Sequence, residues 1–402
     1  MIQISAMENP FQFGRELGAE ELVDREDEIA QVMAAIRDGG KLFLIGPRRY
    51  GKTSILKAAE DRLSVQGAVL LRYDAEGYPS LDLLVAALVA GAAAKLKGGI
   101  ERTGDQIRSF FAKLRPEASF SLTDRQWTVK LGVTNAEDSA RQVELLVDAL
   151  DGLEKLANAQ PKGRPVGLVI DEFQKLVELG GATAEAQIRA AIQRHQRTGY
   201  VFAGSKTRLL TAMTMSAARP FYRLGARRFI GPVPRVRFSE FLQRRFAESG
   251  FSLPGNSGNE AIQMILDLAE EVPYNVQVLA HACWDQLRAG KGLKEQILDR
   301  VVVEQSLERL VRQYDPFYTQ LWNSLTAIQQ KTLVAVVREH GFNLQSMKVV
   351  RNLGKGPSTV RRSLEALRAH DILREEESLA KVRIRFEDPF FAQWVLRFTS
   401  GL

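Results

Sequence analysis

A chain of 402 residues is too long for one hydrophobic core, and with 45% hydrophobic and 26% charged residues it has a globular composition, so two or three domains are expected. The single cysteine, Cys283, excludes an intramolecular disulfide, and four scattered histidines argue against a Cys/His zinc site. The formal charge of +7 suits an anionic partner such as nucleic acid but equally serves solubility, so its placement matters more than its sum.

The opening MIQISAMENPFQFG has no basic stretch followed by an apolar one, so no secretory signal is expected. No run of about 18 apolar residues announces a membrane span, and the expected location is the reducing cytoplasm. Past this lead-in, ELVDREDEIAQVMAAI sets Ile29, Val32, Met33 and Ile36 at helical spacing behind acids in the first turn. KLFLIG is a short apolar run ending in glycine, which predicts a buried strand, and KTSILKAAEDRL predicts the helix after it. AVLLRYD, RPVGLVID, GYVFAGS and RRFIGPV predict further buried strands, and an alanine-rich helix spans about 80–97. Short apolar strands alternating with helices predict an α/β domain with a parallel sheet covered on both faces.

One segment breaks the alternation. ASFSLTDRQWTVKLGV, 118–133, sets Phe120, Leu122, Trp127, Val129 and Leu131 at period two around TDRQ, which predicts an inserted hairpin. From about Phe238 the strands stop, and SEFLQRRFAESG, NEAIQMILDLAEEV and PYNVQVLAHACWDQLRAG predict three helices. From about Tyr314 the order is helix, short helix, turn (GKGPS), helix (TVRRSLEALRAHDIL) and strand pair, the order of a winged helix-turn-helix.

Gly46-Pro47-Arg48-Arg49-Tyr50-Gly51-Lys52-Thr53 fits the Walker A pattern in the required context, a buried strand before and a helix after. Backbone N–H groups of such a loop and of the helix N-terminus point at phosphates. Gly51 lets the backbone approach closely, Lys52 is placed to reach the β and γ phosphates, and Thr53 offers a hydroxyl to Mg²⁺. Downstream, GLVIDEF delivers Asp171 and Glu172 to the carboxyl end of a strand, where open α/β sheets bind ligands. Asp171 is a candidate to hold Mg²⁺ through water, and Glu172 to act as general base on the attacking water. YVFAGS ends in Ser205, which either orients that water or caps the following helix.

NPFQFG, LVDREDEI, GPRRYGKTS, VIDEFQKL, FAGSKTRLL, RPFYRLG, VPYNVQVLAHACWDQL and FEDPFFAQWVL follow in order over nearly the whole chain. Together they resemble the AAA+-like P-loop ATPases of the archaeal-type ATPase group, near the origin-recognition ATPases and the signal-transduction (STAND) NTPases. The resemblance implies a P-loop core over residues 1–235, an all-α lid over 236–312 and a winged helix-turn-helix over 313–402. It implies ATP and Mg²⁺ as cofactors, ATP hydrolysis and assembly as a homo-oligomer. The loop from Gly46 through Ser54 would hold the nucleotide. Phe11 to Gly14 and Val23 to Arg25 would line the adenine pocket, Ser205 would be the sensor-1 position, and VPYNVQ, with Pro273, would open the lid helix facing the nucleotide. Two departures stand out. No arginine precedes Arg288 in that helix, so a lid (sensor-2) arginine is doubtful. Arg219, Arg223, Arg227 and Arg228 lie where relatives place a finger reaching a neighbouring subunit; Arg223 is the candidate, against the alternative of surface arginines leading into a strand. Arg48 and Arg49 are not needed for the backbone cradle; they either pair with acids of the core or face an adjoining subunit.

GPSTVRRSLEALRAHDIL is the candidate recognition helix, with Ser358 as its cap and Val360, Leu364 and Leu367 facing inward. Lys355, Ser358, Arg361 and Arg362 on that element, and Lys381 and Arg383 on the wing, are the candidate contacts to double-stranded DNA, diluted by Glu365, Asp371 and the acids at 375–377. Arg125, Trp127 and Lys130 of the hairpin are weaker candidates for nucleic acid or a neighbouring subunit. The sequence thus points to an ATP-driven switch on DNA. The alternative is a STAND-like regulator whose winged helix binds protein.

Overall fold

The computed structural model describes residues 8–96, 100–114, 116–121, 126–131, 139–161, 163–181, 183–289, 296–377 and 382–399. The chain divides into two compact units, one of Arg15–Pro232, the other of the described residues of Met1–Gly14 and Val233–Leu402. The sequence reading ran the core from residue 1 to 235; the described part of the first 14 residues instead packs within the second unit.

In the first unit, strands β1 (Lys41–Ile45), β2 (Val69–Asp74), β5 (Val166–Asp171), β6 (Thr198–Gly204) and β7 (Ala226–Phe229) form one parallel sheet in the order β2-β5-β6-β1-β7. β3 (Pro116–Ser121) and β4 (Gln126–Leu131) form a separate antiparallel hairpin with Phe120 opposite Trp127. The helices are α1 (Glu26–Arg37), α2 (Lys52–Val65), α3 (Leu81–Lys95), α4 (Ile100–Phe110), α5 (Ser139–Ala159), α6 (Gln174–Gly180), α7 (Ala184–Arg194) and α8 (Thr207–Met215). The central strands are apolar without a break because both faces are covered. Phe43, Leu71, Leu168, Ile170, Tyr200 and Phe202 point into the core shared with α3, α5 and α7. Leu42, Leu44, Leu70, Val169 and Val201, alternating with them, are buried on the opposite face, where α1 packs. Trp127 and Val129 of the hairpin rest against the main core, so Trp127 is a packing residue; the hairpin tip with Arg125 lies outside the described residues.

The amino end of β6 is fixed by one acid. The Glu154 carboxylate on α5 accepts the backbone N–H groups of Gln196 (2.9 Å), Arg197 (3.0 Å) and Thr198 (2.9 Å) and the Thr198 hydroxyl (2.7 Å). Beside it, His195 bonds Tyr200 Oη (2.7 Å) and Asp151 (3.0 Å) through its two ring nitrogens.

In the second unit, α9 (Arg235–Glu248), α10 (Gly255–Leu268), α11 (Pro273–Ala289) and α12 (Arg300–Gln313) precede α13 (Asp315–Ser324), α14 (Ala327–Arg338), α15 (Met347–Leu353), α16 (Pro357–Ala369), the antiparallel pair β8 (Leu373–Glu377) and β9 (Val382–Phe386), and α17 (Pro389–Thr399). α12, absent from the sequence reading, starts where Asp299 accepts the Val302 N–H (2.9 Å). α13 and α17 are joined by rings, Tyr318 on Phe391 (5.2 Å) and Trp322 on Trp394 (5.9 Å), and by the Trp394 indole donating to Asp315 (2.7 Å). Among the described residues no helix is long and apolar enough to cross a membrane.

Glu154 offers a direct test of the sheet's anchoring. Burial pushes its pKa up, but the bonds from Thr198, Gln196 and Arg197 outweigh that and hold it below the ordinary value. An acid depressed in the fold stabilises above its unfolded pKa, and that contribution is lost as pH falls through the folded value. Glu154→Ala is expected to lower unfolding free energy by about 1–3 kcal/mol at pH 7. In denaturant titrations the gap to the unmodified protein should narrow as the pH is taken below about 4.3.

Candidate functional site

The loop after β1 is built on close approaches. A Cβ on Gly46 would lie 2.7 Å from Ile230 Cβ, where the Ile230 N–H bonds Ile45 O at 2.7 Å. Gly51 has φ 86°, a left-handed conformation that favours glycine, and it turns the chain into α2. The first turn of α2 has neither a side-chain cap nor an acid, so its N–H groups are open to an anion. Lys52 is 6% exposed, and its ammonium donates to the carbonyls of Gly46 and Pro47, each at 2.9 Å. Burial pushes the Lys52 pKa down, against the attraction of Asp171 and Glu172.

The other loop residues differ in kind. Tyr50 is buried. The Ser54 hydroxyl accepts the Leu17 N–H at 3.0 Å, tethering the lead-in to α2. Arg48 is exposed and pairs with Glu76 at 3.6 Å; Arg49 is exposed with φ 69°. The pairing of Arg48 with an acid of its own unit is the first of the two readings of these arginines; exposed on both sides, it adds at most about 1 kcal/mol.

β5 is buried along its whole length and ends at Asp171. The Thr53 hydroxyl donates to Asp171 Oδ2 at 2.9 Å, bridging 118 positions of sequence. Burial pushes the Asp171 pKa up, opposed by Thr53 and Lys52. Glu172 follows with φ 49°, uncommon for a residue with a side chain. Phe173 holds it there: its ring is wholly buried 4.3 Å from that of Phe202, and its N–H bonds Ala203 O at 2.9 Å. Glu172 Oε2 accepts the Gln174 side-chain amide (2.6 Å), the Ser205 N–H (3.1 Å) and the Ser205 hydroxyl (2.9 Å). Burial raises the Glu172 pKa, but Gln174, Ser205 and Lys52 together take it below its ordinary value. Two adjacent acids are thus pushed in opposite directions. Gln174 escaped the sequence reading; its only signal was a polar residue in the first turn after VIDEF.

Of the four candidate finger arginines, three are engaged. Arg219 pairs with the buried Glu185, Arg227 donates to Thr214 O (2.9 Å), and Arg228 pairs with Glu28 (2.9 Å). Arg223 is exposed, has φ 55°, and has its guanidinium 5.1 Å from the Tyr222 ring centre. Arg25 is buried, donating to Gly231 O (2.7 Å) and pairing with Glu28 (3.5 Å); Val23 stays half-buried.

Within the second unit, Phe11 is wholly buried, 4.6 Å from the Phe246 ring, and its carbonyl accepts the His281 Nδ1–H at 2.6 Å. Asn9 donates to His281 O (3.1 Å) and Asp285 (2.9 Å), so NPFQFG is laid along α11, which Pro273 opens. A wholly buried ring offers no surface to a ligand, so Phe11 acts in packing. The helix α16 starts at Pro357 after Gly356, not behind Ser358: proline's fixed φ suits the first helical position, and Ser358 lies exposed inside the helix. Val360, Leu364 and Leu367 face inward as expected. Lys355 and Arg362 are exposed, with no partner among the described residues, and so is Arg351 on α15. Arg361 pairs with Glu365 (2.9 Å), and Arg383 donates to His340 O (2.9 Å) beside the Phe342 ring. Lys381 lies outside the described residues. Arg374 and Arg385 of the strand pair hold Glu270 at 2.8 and 3.2 Å.

No protein-family profile and no curated protein matches the chain. Solved structures match nearly end to end. The Walker-type ATPase of Pyrococcus abyssi has a TM-score of 0.59 at 18% identity, covering 96% of this chain and 99% of that one. The Aeropyrum pernix ORC2 protein, solved as ADPNP–ADP complexes, has a TM-score of 0.54 at 12% identity, covering 99% of both chains. At such identities the likeness is one of fold. The chain has the α/β, AAA+-like P-loop fold, a parallel sheet with helices on both faces followed by a largely helical C-terminal region, and shares it with these archaeal proteins.

Proposed function

We propose that the protein binds ATP with Mg²⁺ and hydrolyses it, as a switch that assembles into an oligomer and contacts DNA through its winged helix. The observation that carries this reading is the Thr53–Asp171 hydrogen bond beside the buried ammonium of Lys52. A hydroxyl, a carboxylate and an ammonium meet where a helix begins without a cap. The hydroxyl and carboxylate oxygens suit Mg²⁺, which is commonly held by one or two protein oxygens together with water and phosphate. When bound, Mg²⁺ supplies neutralisation of the phosphoryl oxygens.

The remaining work falls to the chain. Backbone N–H groups between Arg48 and Ser54 grip the phosphates, and Lys52 exchanges the carbonyls of Gly46 and Pro47 for phosphate oxygens. Thr53 and Asp171 hold the cation. Glu172 takes a proton from the water that attacks the γ-phosphorus, releasing ADP, while Ser205 steadies its carboxylate. Of the adenine-pocket candidates, half-buried Val23 is one that keeps open surface, while Arg25 is buried and bonded to Gly231 O. Residues 236–312, with Pro273 opening α11, serve as lid, and 313–402 as the winged helix-turn-helix.

Arg223 is the arginine finger in this reading. The other three arginines of its segment are held by their own unit, whereas Arg223 is exposed in a strained backbone conformation, a kind that clusters at functional sites. For DNA, Arg351, Lys355 and Arg362 are the free cations of α15, α16 and the turn between them. A second reading, a regulator whose winged helix binds protein, draws on the inward use of Arg374, Arg385 and Arg383.

Glu172→Gln should retain ATP binding, measured by titration with a fluorescent analogue, and lose about 10²–10⁴-fold in turnover; hydrolysis at the normal rate would show the base to be another group. Arg223→Ala should leave nucleotide affinity intact and cut turnover only at protein concentrations that support assembly; unchanged turnover there rejects it as the finger. Duplex DNA should shift the protein in gels at low ionic strength, with affinity falling as salt rises, and Arg362→Ala should lessen the slope of log affinity on log salt by about 1. No salt-sensitive binding leaves the protein-binding reading.

A further inference from the structure

We infer that Gln174 is a positioning residue for Glu172: its side-chain amide, together with Ser205, fixes carboxylate oxygen Oε2 and leaves Oε1 as the oxygen that receives the proton. The inference rests on the reading of Glu172 as general base. Three donors converge on Oε2, the Gln174 amide at 2.6 Å, the Ser205 hydroxyl at 2.9 Å and the Ser205 N–H at 3.1 Å. Among the described residues none donates to Oε1.

Gln174 is held where stability alone would not put it. It is 1% exposed, and its own Oε1 is buried with no hydrogen-bond partner. The orientation of the amide is not free, because an ionised carboxylate only accepts, so the NH₂ end must face Glu172. The carbonyl end is thereby driven towards Gly204, where a Cβ would lie 2.4 Å from it. Leucine, similar in volume, would fill this space without an orphaned acceptor. What the amide adds over an apolar side chain is the bond to Glu172. That residue has φ 49°, so its carboxylate is carried on a sharply turned backbone and its aim depends on what holds its far end.

Gln174→Leu in the full chain tests this. ATP turnover should fall roughly 10- to 100-fold, since a small misplacement of a reacting group costs about that much. The affinity for a fluorescent ADP analogue and the melting temperature should stay within error. Added to Glu172→Gln, the same substitution should change the residual turnover no further, because Gln174 acts only through that carboxylate. Gly204→Ala, which crowds the amide without removing it, should also slow turnover, and should slow it less in the Gln174→Ala background, where the contact with Leu210 Cδ1 (2.5 Å) remains but that with the amide is relieved. Wild-type turnover in Gln174→Leu overturns the inference, as does an equal loss in the Glu172→Gln background. If Gln174→Leu does not fold, undiminished turnover in Gly204→Ala overturns it. Normal hydrolysis by Glu172→Gln alone instead sinks the assignment of the base, a separate failure.

Discussion

The hydrogen bond from the Thr53 hydroxyl to Asp171 ties the first turn of α2, which follows β1, to the end of β5, and β1 and β5 are not neighbours in the sheet. β6 lies between β5 and β1, so the bond spans the carboxyl edge of three strands. β1 and β6 end level, Ile45 paired with Gly204, and β5 ends within one residue of them, with Ile170 paired with Phe202. The buried partners are charged as well as polar. Burial pushes Lys52 down and Asp171 up, so each ion is costly there without the other. Such an edge, with an ammonium and a carboxylate short of solvent beside open helix N–H groups, is one that a polyanion and its cation stabilise.

Glu172 belongs to the same edge but to a different balance. Asp171 is governed by burial, whereas Glu172 is governed by donors, the amide of Gln174 and both the N–H and hydroxyl of Ser205. Adjacent acids with opposite shifts are suited to different tasks. The separation is mechanical in origin. Phe173, locked among Phe43, Phe202 and Phe221, anchors the chain directly after Glu172, and Asp171 and Glu172 find separate partners, Thr53 for one and Gln174 with Ser205 for the other.

In the second unit much of the positive charge is used within the fold. Arg235 is bound by Asp267 and Glu271, and Arg374 and Arg385 by Glu270, where the chain between α10 and α11 runs through two positive-φ glutamates. These bonds join the helices before α13 to the strand pair near the C-terminus. Arg351, Lys355 and Arg362 on α15, α16 and the turn between them stay exposed with no partner among the described residues, as do Arg300, Lys331, Arg338 and Arg397 on other helices of the unit.

The sequence by itself determined the parallel sheet, the loop of Gly46 to Thr53 between strand and helix, and the placing of Asp171 and Glu172 at a strand end. It could do so because buried strands are unbroken apolar runs and because Gly51 is required by a local backbone angle; both signals are contained in a few consecutive residues. The cap of α16 was misread for a local reason, a proline two residues after a glycine-lysine turn outweighing a nearby serine. What only the tertiary structure decided is which polar groups meet. Phe11 became core because α9 presents Phe241 and Phe246 to it; Arg219, Arg227 and Arg228 were separated from Arg223 by acids and carbonyls 13 to 200 positions away; and the Gln174 amide was turned onto Glu172, its carbonyl end left against Gly204. Such pairings depend on distances set by packing, and nothing in the spacing of residues along the chain encodes them.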